Sequence, residues 1–117
     1  MPYRSKFATK DIEKLFETII QLDTVGECYR FFEDVCTINE VQDMAQRLKV
    51  AHMLQEKHSY QDIVNETKAS TATISRVAKS LTYGAEGYHL VFKKMEKSKK
   101  WVYGSKLFLC KKTFSLL

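Results

Sequence analysis

Between Pro2 and Gly84 the chain has no further proline and a single glycine, Gly26. A sandwich or barrel needs turn residues about every 8–12 positions, so a stretch this poor in breakers is predicted to be helical. With 44% apolar and 12% aromatic residues, a chain of 117 residues can bury one core, and disorder is not the default. The expected fold class is all-α.

Capping signals divide the helical stretch. Thr9 precedes Ile12, Leu15, Phe16, Ile19 and Ile20, which share one broad stripe at 3.6-residue periodicity and predict a first helix over 10–22. "TVGE" at 24–27 and "TINE" at 37–40 are capping boxes, predicting helices over 25–35 and 38–57. The second helix, with Cys28, Tyr29, Phe31, Phe32 and Val35 around much of its circumference, needs more than one apolar neighbour. The third repeats Val41, Met44, Ala45, Leu48, Ala51 and Met53 or Leu54. A monomer of this size has limited room for such faces, so a second copy of the chain is expected to complete them.

The pattern then shortens. Ser59 caps "YQDIVNET", barely two turns, and "KAS" leads to Ser70 or Thr71 as the cap of a helix with Ile74, Val77, Ala78 and Leu81 on one stripe. Two short helices with Val64, Ala69 and Ile74 between them have the spacing of a helix-turn-helix at about 59–81. Glycine is usual at such a turn because of its positive φ. Lys68 stands there instead, at a cost of about 1 kcal/mol or more. A further helix is predicted over 86–97 with Tyr88, Val91, Phe92 and Met95 inward. Residues 1–97 thus form one helical domain, and 98–117 a basic, aromatic tail without an assignment.

Charge indicates which part meets a polyanion. Residues 1–56 carry a net charge of −3 and residues 57–117 a net of +8, making the total of +5. No carboxylate lies between Thr67 and Gly84, and the second short helix is rich in hydroxyls. In a helix-turn-helix the second helix enters the major groove, so Thr71, Ala72, Thr73 and Ser75 are expected to face bases and Lys68, Arg76 and Lys79 to face phosphates.

Other classes fare worse. The N-terminus has no apolar signal segment, and no run approaches the roughly 20 apolar residues that span a bilayer, so a cytoplasmic location and no membrane partner are expected. Cys28, Cys36 and Cys110 suit neither a disulfide framework nor a metal knuckle, and are expected to be buried reduced thiols. His52, His58 and His89 are widely spaced and no nucleophile has a local base or phosphate cradle, so neither catalysis nor a metal site is expected. The main rival is a protein-interaction module using the aromatic second helix or the tail. Interleaved Lys and aromatic residues over 93–112 also admit a membrane-surface role.

The order of "ECYRFFEDVCTINE", "AQRL" and "STATISR" resembles the Trp repressor superfamily, most closely its Trp repressor-like proteins of the YerC/YecD type, over about residues 10–97. The resemblance implies an intertwined all-helical homodimer that binds double-stranded DNA and regulates transcription, most simply as a repressor. Ser70, Thr71, Ala72, Thr73 and Ser75 match positions that approach DNA in the tryptophan repressor. Arg47 and Arg76 match the two arginines that sandwich its corepressor's indole, and Thr37 and Ser80 match further positions beside it. Where that protein has glycine after the second arginine, this chain has Val77, which would crowd the indole slot. Tryptophan is therefore not expected as a cofactor, and any effector using Thr37, Arg47, Arg76 and Ser80 would be a different small molecule.

Overall fold

The computed structural model describes residues 3–98, and all regular elements among them are helices. These are α1 (Lys10–Ile19), α2 (Val25–Val35), α3 (Ile38–Gln55), α4 (Tyr60–Thr67), α5 (Thr71–Tyr83) and α6 (Gly87–Lys97). The chain divides into two compact units after Val41. The tail from residue 99 onward, with Cys110 and all of its aromatics, lies outside the described residues.

In the first unit the caps form as their residue types dictate. Thr9 accepts the Ile12 N–H at 3.1 Å and opens α1, which ends three residues earlier than its apolar stripe predicts. Thr37 and Glu40 make a full capping box: the Thr37 hydroxyl accepts the Glu40 N–H at 3.1 Å, and the Glu40 carboxylate accepts the Thr37 N–H at 2.8 Å. The box at 24–27 is shifted, since Glu27 reaches past Thr24 to the Asp23 N–H at 2.8 Å.

Neither α1 nor α2 contains a buried residue. Ile12 and Ile19 are half-buried, whereas Phe16 and Ile20 are 51% and 75% exposed. Phe31 and Phe32 pack edge to face at 5.3 Å, while Tyr29 and Val35 of the same helix stay exposed. The cysteines follow their helix: Cys28 is exposed and Cys36 half-buried, not buried as free thiols usually are, because α2 has no fully buried residue in the described structure.

The second unit holds the core. Val50 and Ala51 of α3, Ile63 of α4, Ala69 of the turn, and Ile74 and Val77 of α5 are buried together. Met53, Leu54, Val64, Leu81, Tyr88 and Phe92 pack around them. Within α3, Val41 and Leu48 are half-buried and Met44 and Ala45 exposed, so full burial begins only at Val50, later than the repeat predicts. In α6, Val91 is exposed and His89 takes a half-buried place. Its Nε2 lies 2.9 Å from the Leu81 carbonyl, and its Nδ1 lies 3.0 Å from Gln55 Nε2.

Chain reversals rest on non-glycine residues at positive φ. At the end of α3, Lys57 has φ 69°, its N–H bonds the Leu54 carbonyl, and the His58 N–H bonds the Met53 carbonyl, which together make a Schellman motif. Gly84, beyond α5, is required for a different reason. A Cβ there would run into the backbone of Ser80, whose carbonyl accepts the Gly84 N–H at 2.9 Å.

Candidate nucleic-acid interface

The candidate interface is built from the turn outward. Thr67, the last residue of α4, donates its hydroxyl to the Ile63 carbonyl at 2.8 Å and accepts the Ala69 N–H on the same oxygen at 3.1 Å. Lys68 takes the left-handed conformation expected of it, φ 63° and ψ 14°, and its N–H bonds the Val64 carbonyl. Ala69 is 2% exposed, as a small residue at a close helix crossing should be. Ser70, of the two candidates, is the cap of α5, accepting the Thr73 N–H at 3.1 Å.

From that cap α5 runs thirteen residues with two distinct sides. Ile74 and Val77 enter the core, and Ala78 and Leu81 are half-buried beside them. Thr71, Ala72, Ser75, Arg76, Lys79 and Ser80 are exposed, and Lys68 and Ser70 extend the exposed strip across the turn. Thr73 is half-buried and its hydroxyl accepts from Ser70 at 3.1 Å. It therefore retains one donor for any other partner. Among the described residues neither Arg76 nor Lys79 makes an ion pair, so the positive field of this face is not cancelled locally.

The residues matched to an effector pocket divide between the two units. Arg47, Arg76 and Ser80 are exposed in the second unit, and neither arginine has an ion pair among the described residues. Thr37 belongs to the first unit, where its hydroxyl and N–H are both engaged in the α3 cap. Val77 is 2% exposed and contributes to the core rather than lining open space.

Contacts from α3 to the turn were not legible in the spacing. Gln46 Nε2 donates to the Thr67 carbonyl at 3.0 Å, and Lys49 Nζ meets the Glu66 carboxylate at 3.1 Å. A polar pair at i, i+3 on α3 is the only sequence signal, and it does not name its partner. Further along, the His52 imidazole is held below its usual value of 6.5, chiefly by burial, with Glu56 at 3.9 Å opposing the shift and His58 adding to it. No group of three or more His, Cys, Asp or Glu among the described residues is placed to hold a metal ion, and no helix there is long and apolar enough to cross a membrane.

The Trp repressor protein family model matches residues 10–96. YerC of Bacillus subtilis (strain 168) is 48% identical over 93 residues, covering 80% of this chain and 89% of its own length. A solved TrpR-like protein from Eubacterium eligens ATCC 27750 superposes with a TM-score of 0.75 at 52% identity, covering 78% of this chain and 94% of that one. A candidate Trp repressor from Staphylococcus aureus also gives 0.75, at 43% identity, covering 78% and 91% respectively.

Proposed function

Because this chain belongs to the Trp repressor family, we propose that it is a cytoplasmic, sequence-specific DNA-binding repressor that works as a homodimer. The observation that carries this reading is the exposed strip from Lys68 to Lys79. It combines hydroxyls with cations that make no ion pair among the described residues, on one side of a short helix whose other side is locked in a core. Thr71, Ala72, Thr73 and Ser75 read base edges, directly or through water, while Lys68, Arg76 and Lys79 hold phosphates. The apolar residues left exposed on α1 and α2 support dimerisation, since a second copy would remove them from water.

Two copies of α5 set about one DNA turn apart, roughly 34 Å, require a near-palindromic operator. Valine at 77, where the tryptophan repressor has glycine, argues against an indole at Arg47 and Arg76, so tryptophan is not the effector under this reading. The two exposed guanidiniums, with Ser80 in the same unit, suit a planar or anionic small molecule as any effector. The competing reading assigns the exposed apolar residues of α2 to a partner protein. Selection of bound sequences from random duplex DNA, with Arg76→Ala run in parallel, separates the two. Enrichment of a near-palindrome with half-sites about ten base pairs apart supports the regulator. Absence of enrichment, with or without cell extract as a source of effector, transfers the function to the protein-interaction surface.

A further inference from the structure

The second short helix can present the same side chains at many angles, and only one angle lets them meet base edges while the flanking cations meet phosphates. What fixes that angle lies partly outside the helix-turn-helix. The last carbonyls of α4 have no helical partners and must be satisfied elsewhere. Val64 is bonded by the Lys68 N–H, and Asn65 by the Lys68 ammonium at 3.2 Å. The Thr67 carbonyl is satisfied from another helix, by Gln46 of α3 at 3.0 Å in a half-buried setting. Thr67 is also the residue whose hydroxyl holds the Ala69 N–H, and Ala69 directly precedes the cap of α5. One turn further along α3, Lys49 grips Glu66, and Val50 enters the shared core.

We infer that Gln46 is a positioning residue for DNA recognition: its amide ties α3 to the Thr67 carbonyl and so fixes the direction in which α5 leaves the turn. The inference rests on the DNA-binding reading above and adds a residue that touches no nucleic acid. Its predicted signature is a loss of discrimination rather than of general affinity. Phosphate contacts by flexible Lys and Arg tolerate a small rotation of α5, whereas base contacts do not.

The test compares Gln46→Leu, similar in shape but without a donor, with Gln46→Lys, which restores a donor. Each is measured against the selected operator and against random duplex DNA over a salt series. The expected result for Gln46→Leu is about a tenfold fall in the ratio of specific to random affinity, the scale of one unsatisfied carbonyl, with the salt slope on random DNA unchanged. Gln46→Lys should recover most of the ratio, and a uniform effect of its added charge cancels in that ratio. Amide exchange at Ala69 gives a readout without DNA, expected to be about tenfold faster in Gln46→Leu under conditions where the fold persists. The inference is overturned if Gln46→Leu keeps its ratio within about twofold, or if Gln46→Lys loses as much as Gln46→Leu. If the wild type selects no sequence while Ala69 exchange still accelerates, the regulator reading fails and the tie between Gln46 and the turn survives.

Discussion

Replacing Lys68 with glycine should make the protein more stable and a weaker DNA binder at once. The backbone at 68 is left-handed, φ 63° and ψ 14°, which costs an L-residue roughly 1–2 kcal/mol and glycine almost nothing. Glycine's greater freedom in the unfolded chain returns about 0.5–1 kcal/mol of that gain. The exposed bond from the Lys68 ammonium to the Asn65 carbonyl contributes little in water. The net expectation is a stabilisation of about 0.5–1 kcal/mol, read as a rise in Tm of about 2–8 °C for a domain of this size. If Lys68 holds a phosphate as proposed, the same change deletes that contact and the slope of log affinity against log salt should flatten by about 0.9. Lys68→Ala is the control: it keeps a Cβ at positive φ and should lose the DNA contact without the gain in Tm. Thermal melts and salt titrations of the three proteins settle both halves. A lower Tm for Lys68→Gly would refute the strain argument, and an unchanged salt slope would remove Lys68 from the phosphate contacts.

Lys79→Ala should weaken binding to all sequences about equally and flatten the salt slope by roughly one unit, whereas Thr71→Ala should relax preference at one or two base pairs; competition binding against single-base operator variants distinguishes them. Phe32→Ala should cost about 3–5 kcal/mol if its ring completes a core shared between two copies, measured as a concentration-dependent melt beside sedimentation equilibrium. Val77→Gly removes a buried side chain from a helix interior and should cost about 3–4 kcal/mol in chemical denaturation, while equilibrium dialysis of the wild type should show no tryptophan uptake. Burial lowers the His52 pKa in the fold, so the unfolded chain binds its proton first as pH falls. The His52 contribution to stability is therefore complete above the unfolded value of 6.5 and is lost as pH falls through the folded value; His52→Gln should flatten the fall in Tm between pH 7.5 and 5.5.

Local chemistry made most of the fold legible. Thr9, Thr24, Thr37, Ser59 and Ser70 each cap a helix through a hydrogen bond reaching only three residues, so the starts of α1 to α5 could be read from short windows. The left-handed turn at Lys68 was legible for the same reason. Less visible were features set by distant neighbours. The stripe on α1 predicts burial that Phe16 and Ile20 do not find among the described residues, and the α3 repeat does not reveal that full burial begins only at Val50. At the interface, exposure of Thr71, Ser75, Arg76 and Lys79 follows from the periodicity of Ile74 and Val77. The half-buried, doubly engaged Thr73 and the reach of Gln46 to Thr67 depend on rotamers and helix crossing, which periodicity does not encode.

The unburied state of α1 and α2 also has a meaning in time. These helices leave the ribosome before the residues that form the second unit, and at about 5–20 residues per second several seconds pass before that unit is out. Throughout that interval Phe16, Ile20, Val25 and Tyr29 face water with no burial of their own to find. The newborn chain should therefore be a client of chaperones that hold apolar helices. If the chain dimerises as proposed, neighbouring ribosomes on one message, each presenting the same two helices, would be the nearest source of a matching surface.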